Sequence, residues 1–214
     1  MLELWGRPNA YNVIKALWLL AELGLEFRHH DVGSNEGDLD TPEFAALNPM
    51  RRVPVLRDGD AVVWESHTLL RYLANRFDDG TLYPREPLPR SQVERWMDWA
   101  QTSLQPAFMD LFWGFYRMPA EQRDHAAIDA ALLRCREAFE ILDCRLGDAP
   151  YLAGEAFTLA DITSGVSLYR YFNLGKPVDE PPRVMDWYGR LQQRAAFRQA
   201  VMQPFGELAG RVQY

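Results

Sequence analysis

Cysteine and histidine are scarce in this chain of 214 residues, with two of the first and four of the second. There is no C-x-x-C, no H-E-x-x-H and no His/Cys cluster, so neither a metal site nor a protein dithiol is expected. Cys135 and Cys144 are nine residues apart on a helical pattern. At about 100° per residue they fall on opposite helix faces and cannot bridge each other. Positive charge is not in excess either: 23 Lys+Arg against 30 Asp+Glu give a net charge of −7. Neutralising phosphates needs clustered Lys/Arg, and here bases and acids are interspersed, so nucleic acid is not an expected partner. Long apolar runs are missing. The most apolar stretch, Ala16 to Ala21, is broken by Glu22, and Met1 to Trp5 has no basic region leading into an apolar one. A soluble, cytoplasmic protein with no membrane partner is expected. Glycine and proline, at 14 each, stay below the excess of collagen-like or low-complexity chains.

What is present is a globular composition, 48% hydrophobic and 13% aromatic. A chain of this mass should expose about 10,100 Å² folded against about 35,800 Å² unfolded, which buries roughly 70%. Leu2 to Trp5 predicts a strand ended by Gly6-Arg7-Pro8-Asn9, and Asn12 to Leu23 a helix with Gly24 as its C-terminal stop. Phe27 to Val32 reads as a second strand. A polar loop over Gly33 to Asp40 leads to a short helix opened by Thr41-Pro42. Val53 to Arg57 and Ala61 to Trp64 flank Asp58-Gly59-Asp60, a hairpin signal, and Ser66 is placed to cap a helix running to about Phe77. The order βαβαββα is that of a thioredoxin-like domain. Tyr83 to Pro89 is proline-rich, and every later segment is helical: Arg90 to Arg117, Ala120 to Leu146, Leu159 to Tyr171 and Val184 to Ala196. The expected fold class is α/β plus all-α. A thioredoxin-like domain spans 1–80, a linker 81–89 and a helical bundle 90–214.

Several short motifs point to chemistry. Glu65-Ser66 begins a helix, where unpaired N–H groups and about half a positive charge suit a carboxylate. The Ser66 hydroxyl adds a donor, and Glu65 can accept from an ammonium group, so the pair fits an amino-acid zwitterion. Ser66 as a plain N-cap is the ordinary alternative. Phe157-Thr-Leu-Ala-Asp161 reads as structure: Thr158 and Asp161 form a capping box and Phe157 staples onto Ile162. His29, His30, His67 and His125 have no second ligand at a readable spacing and read as surface or packing residues, and the cysteines as packing thiols.

With Asn12-Val-Ile-Lys15, Asn48-Pro-Met-Arg-Arg-Val-Pro-Val-Leu56, Trp64-Glu65-Ser66 and Phe157-Thr-Leu-Ala-Asp161 in this order and spacing, the chain resembles the cytosolic glutathione transferases over essentially its whole length. The resemblance implies glutathione as co-substrate, a small electrophilic second substrate, a role in detoxification, a homodimer and no metal. It implies a cis bond before Pro54, with the Val53 backbone pairing with the cysteinyl part of glutathione, the γ-glutamyl end at Glu65 and Ser66, and a basic residue, Arg52, near the glycyl carboxylate. The same fold also hosts glutathione-dependent disulfide reduction, dehalogenation and ether cleavage, and non-catalytic glutathione-binding scaffolds.

Thiol activation departs from the common pattern. Similar bacterial sequences commonly carry Ser or Thr two positions before Asn12, where this chain has Ala10. Lowering a thiol pKa from about 8.5 by two units takes about 2.7 kcal/mol of thiolate stabilisation. Asn12 is the first candidate donor and Tyr11 the second, with N-capping and domain packing as their respective alternatives. In the helix from Arg90, Leu104, Phe108, Leu111, Phe112 and Phe115 form a core stripe. Met109, Trp113 and Tyr116 form a second, either the wall of an electrophile pocket or a subunit contact. The resemblance further implies that Asp98 reaches the glutathione amino group of a neighbouring subunit. The segment Phe205 to Tyr214 either covers the pocket or frays.

Overall fold

The computed structural model describes residues 1–35 and 37–212. The chain exposes 10407 Å², close to the expectation for its mass. Strand β1 (Leu2–Trp5) lies at the centre of a four-stranded sheet ordered β2-β1-β3-β4. It runs parallel to β2 (Phe27–His30) and antiparallel to β3 (Val55–Asp58), which turns at Gly59-Asp60 into β4 (Ala61–Trp64). Between β1 and β2 comes α1 (Tyr11–Glu22), between β2 and β3 the short α2 (Pro42–Leu47), and after β4 comes α3 (Ser66–Phe77). This is the expected βαβαββα order.

Local chemistry accounts for the ends of α1. Gly24 adopts φ +61, and its N–H and that of Leu25 bond back to Ala21 and Leu20 at 3.2 and 3.0 Å, the Schellman arrangement. At the other end the N-cap is Ala10, whose side chain makes no cap bond. Gly6 sets where this loop lies. Its φ of +149 suits glycine, and a Cβ there would sit 2.5 Å from Val13 and 3.1 Å from Val53. The loop after β1 is therefore pressed against the strand entry at Val53.

The helical part differs from expectation at its boundaries. Helix α4 starts at Pro87 and runs to Trp99, so it begins inside the expected 81–89 linker. Pro87 and Pro89 occupy the first turn, where backbone N–H groups have no helical acceptor in any case. The helix continues to Arg117 through a π stretch (Ala100–Leu104), α5 (Gln105–Leu111) and a second π stretch (Phe112–Arg117). The first π stretch comes directly before Pro106, and the Gln105 N–H bonds five residues back to Ala100. A widened turn of this kind absorbs the disturbance of a mid-helix proline.

The expected helix from Ala120 is instead a 3₁₀ turn (Ala120–Gln122) followed by α6 (His125–Arg145). Asp124 restarts the helix by accepting from the Ala127 N–H at 3.0 Å. Leu159 to Tyr171 divides into α7 (Leu159–Gly165) and α8 (Leu168–Phe172), where the Ser167 hydroxyl donates to the Ser164 carbonyl. The last predicted helix is α9 (Pro182–Gln193) followed by α10 (Ala195–Ala200). Cys135 is buried and Cys144 exposed, as opposite faces of α6 require.

The two parts share one core. Trp18 of α1 is fully buried, with its ring 5.7 Å from Phe157 and 4.8 Å from Phe197 of the helical part. At the start of α7, Asp161 closes the expected capping box with Thr158.

Candidate active site

The start of α3 differs from a simple N-cap in a way that favours a ligand. The capping position is Glu65, whose side chain makes no cap bond, and Ser66 is the first helical residue. The expected capping role of Ser66 is thus corrected: no described residue bonds its hydroxyl, so hydroxyl and helix-start N–H groups remain available together. Glu65 holds φ +68, unusual for a residue with a Cβ, and its carboxylate is exposed with no ion pair among the described residues. A non-glycine backbone of this kind costs about 1–3 kcal/mol and is found where the site itself requires it. Val53-Pro54 is cis, and Val53 faces Gly6 of the β1–α1 loop. Arg52 is exposed beside it, and its carbonyl accepts from the Asn48 side chain at 2.8 Å.

The β1–α1 loop supplies the second part. With Ala10 at the N-cap, Asn12 occupies the second helical position instead of the cap considered from sequence. Its amide oxygen is buried without a partner among the described residues. A half-turn of the amide exchanges C=O and N–H, so the group can present a donor. Tyr11 is buried against Phe108, ring centroids 5.6 Å apart, the domain-packing role weighed from sequence. Burial drives its pKa well above the normal tyrosine value, with Ser167 and Arg170 acting the other way. Tyr11 is a phenol, not a phenolate, at neutral pH.

Lys15 went unrecognised in the sequence. It is one of two lysines in the chain, is fully buried, and joins three elements: Nζ lies 3.0 Å from His67 Nε2 on α3 and 2.7 Å from Gln105 Oε1 on α5. It therefore fixes the start of α3 relative to α1 and to the helical part. Burial pulls its pKa down to about 7, with Glu65 opposing. His67 is likewise buried, and burial, then Lys15 and Arg71, lower its pKa far below normal, so it is neutral.

The Lys15 shift has a signed consequence. Between about 7 and 10.5 the unfolded chain holds a proton that the folded one lacks, so this residue's contribution to stability falls as pH drops through that window. In Lys15→Met that term vanishes. The variant-minus-wild-type stability should then rise by up to about 1.4 kcal/mol per pH unit on acidification across the window. Urea denaturation of both proteins at several pH values checks this, and a pH-independent difference contradicts it.

The third part is the helical wall. Phe112 and Tyr116 stack at 5.2 Å, and both face Phe205. Tyr116 thus joins the Phe112 stripe instead of the Met109 and Trp113 stripe. The π stretch from Phe112 has more residues per turn than the α-helical arithmetic assumes, and this shifts the phase. Met109 packs on the core, while Trp113 lies by Gly114, Met118 and Ile128 in a hollow against α6, with Arg117 over its ring. The described part of the C-terminal segment crosses this wall. Asn9 Nδ2 donates to Glu207 at 2.9 Å, the Gly210 N–H to the Tyr116 carbonyl at 3.0 Å, and Arg117 Nε to the Arg211 carbonyl at 2.5 Å. Residues 213 and 214 of that segment lie outside the described residues. Asp98 pairs with Arg71 of its own chain at 2.5 Å on an exposed face.

Fold and site together define a thioredoxin-like domain with uncapped helix-start donors at α1 and α3, joined to a helical part. Comparison with known proteins gives the family. Residues 1–75 match the model described as Glutathione S-transferase, N-terminal domain, and residues 104–195 that described as Glutathione S-transferase, C-terminal domain. Glutathione S-transferase GstB of Escherichia coli (strain K12) is 38% identical over 206 residues, 95% of this chain and 99% of that protein. Mouse glutathione S-transferase theta-1 is 29% identical over 198 residues, 89% and 80% of the respective chains. A solved theta class glutathione S-transferase from Xanthomonas axonopodis pv. citri, with glutathione bound, superposes with a TM-score of 0.90 at 41% identity, covering 95% of this chain and 98% of that one. The chain belongs to the glutathione S-transferase family.

Proposed function

We propose that the protein conjugates glutathione to small electrophiles, holding the glutathione thiol as thiolate at the start of α1. The observation that carries this reading is the start of α3, where Ser66 and the strained Glu65 are both free of capping bonds and sit close in sequence to the cis Val53-Pro54 segment. The γ-glutamyl carboxylate is taken by the Ser66 hydroxyl and the α3 N–H groups, and the ammonium group by Glu65. The Val53 backbone pairs with the cysteinyl part, and Arg52 lies near the glycyl carboxylate. The sulfur then rests by Asn12 and the unpaired N–H groups of α1, whose dipole favours an anion. The nucleophile is the ligand's sulfur, and no protein side chain forms a covalent intermediate.

The working unit we propose is a cytoplasmic homodimer with a detoxifying role. Val62 and Trp64 support it, being exposed at 40% and 37% on the edge strand β4, as does Met50, exposed at 58% in the loop before β3. Asp98 is exposed but paired with Arg71 of its own chain, so reaching the ammonium group in a neighbouring subunit would require it to share or exchange that partner.

Asn12→Ala tests the activation step. Turnover of a chlorodinitrobenzene should fall about ten- to a hundredfold, the effect of losing one donor to a developing or resident anion, while glutathione affinity stays within a few-fold. Unchanged turnover removes Asn12 from the mechanism and leaves the backbone N–H groups to do its work.

A further inference from the structure

In the reading above, glutathione is held by residues from two separate parts of the chain. Arg52, Val53, Glu65 and Ser66, between the entry to β3 and the start of α3, take the tripeptide backbone and its carboxylates. Asn12 and the N–H groups at the start of α1 take the sulfur. Thiol activation therefore depends on where the start of α1 stands relative to the start of α3, and a misplacement of about 1 Å can cost on the order of a hundredfold in rate. Gly6 keeps the beginning of the β1–α1 loop against Val53, but α1 itself begins only after that loop. Apolar packing is non-directional and lets two helices slide, whereas a hydrogen bond fixes a position.

Among the described residues one hydrogen bond joins α1 to α3, that between Lys15 Nζ and His67 Nε2 at 3.0 Å, and no ion pair does. Its two ends adjoin the two halves of the site: Lys15 is one turn after Asn12, and His67 follows Ser66 directly. The same amine donates to Gln105 at 2.7 Å and lies 5.0 Å from the Tyr11 ring, which packs on Phe108 one turn further along α5. The groups around it are thus Tyr11 on α1, Gln105 on α5, and Glu65 and His67 at the start of α3, with Arg71 acting on His67. His67 Nδ1 is buried with no partner among the described residues, so the bond to Lys15 is the one that orients the ring. That bond survives titration: an ammonium donates to Nε2, and a neutral amine can donate there or accept from the other tautomer while a second N–H stays on Gln105. A buried amine is a costly way to hold a core together, since an apolar side chain of that size packs without the desolvation penalty. Lys15 is also fully buried, so it acts on a ligand only through its neighbours.

We propose that Lys15 is a positioning residue for the reaction: through its bond to His67 it holds the thiol-binding start of α1 in register with the glutamyl-binding start of α3. This rests on the conjugation reading above. Without the bond, the residues that take the tripeptide backbone stay together on the β3 to α3 side, while the start of α1 loses its fixed place beside the sulfur. Loss of register thus separates thiol activation from tripeptide affinity.

The test reads two quantities: the pKa of the bound glutathione thiol, from the ultraviolet absorbance of the thiolate, and the affinity for γ-glutamyl-alanyl-glycine, in which hydrogen replaces the thiol. In Lys15→Met and in His67→Phe the bound-thiol pKa should rise by about one unit, an about tenfold loss of thiolate at a given pH below it, while affinity for the thiol-free tripeptide stays within a few-fold. His67→Gln, whose amide can still pair with Nζ, should restore part of the loss seen in His67→Phe. Urea melts establish folding, and if Lys15→Met does not fold the His67 pair decides alone. An unchanged thiol pKa in folded His67→Phe overturns the proposal, and a rise confined to Lys15→Met then shows that Lys15 acts by its charge. Loss of affinity for the thiol-free tripeptide, with or without a change in thiol pKa, also overturns it, since the residue then serves the site as a whole. If the wild-type protein fails to bind glutathione, or binds it without lowering the thiol pKa, the conjugation reading fails and this proposal falls with it.

Discussion

Asp161→Ala should cost about 3–5 kcal/mol, a large share of the stability of a domain of ordinary size. Asp161 is fully buried at the start of α7, and one carboxylate answers donors from three places. Oδ1 accepts from the Leu152 N–H at 3.1 Å and from Trp187 Nε1 at 3.1 Å, and Oδ2 from the Thr158 N–H at 2.9 Å. Truncation leaves these donors, and the Thr158 hydroxyl that also reaches Oδ2 at 3.3 Å, in the core without this acceptor, each carrying its own desolvation penalty of about 1–3 kcal/mol. The charge itself is not the source of the benefit. Burial pushes the Asp161 pKa up to about 6 against the opposing pull of those donors, so ionising it in the fold is harder than in the unfolded chain. Asp161→Asn, which keeps one oxygen acceptor, should therefore cost markedly less than Asp161→Ala. Thermal unfolding should show a fall of about 10 °C or more for Ala, at about 2–4 °C per kcal/mol for a chain this long. Equal losses for the two variants would contradict the argument from orphaned donors.

The second large effect concerns ligand affinity. Glu65→Gln and Ser66→Ala should each raise the glutathione KM about tenfold or more, because each removes a charge-assisted contact worth about 1.5–3 kcal/mol. Their stability effects should be small, since neither side chain makes a capping bond to the protein. Glu65→Gly separates backbone from side chain: it relieves the φ of +68 and should stabilise the fold while still weakening glutathione. Initial rates against glutathione concentration, with urea melts of the same variants, read both quantities. A large loss of stability with unchanged KM would show that the α3 start serves the fold and not the ligand.

These features differ in how far the sequence displays them. The Asp161 box, the Gly24 stop and the hairpin between β3 and β4 are local, each formed by residues a few positions apart, and sequence spacing is enough to find them. Glu65-Ser66 was legible as a helix start. That Ser66 is the first helical residue, freed from capping, depends on backbone angles that spacing does not carry. Lys15 was hidden for a different reason: its partners His67 and Gln105 are 52 and 90 residues away, and a lysine in an apolar helix reads as a solvent-facing break until the tertiary contacts are known. A lysine suits that place better than one of the chain's many arginines, because an amine can shed its proton when buried and a guanidinium cannot. Arg170 is similar. Tyr169-Arg170-Tyr171-Phe172 looks like the end of an amphipathic helix, and only the fold brings Asn9, 161 residues away, against it. Tyr116 was misplaced because helical arithmetic assumes one turn size throughout, and the chain changes it at Phe112.

The proposed chemistry requires that this chain bind glutathione and hold its sulfur as thiolate. Calorimetric titration of glutathione into the protein near neutral pH, in two buffers of different ionisation enthalpy, tests both halves at once. The predicted result is saturable binding whose heat differs between buffers by substantial proton release, with that release absent for the S-methyl analogue. Saturable binding without release would contradict thiol activation, and no binding to a protein shown to be folded would contradict the account as a whole.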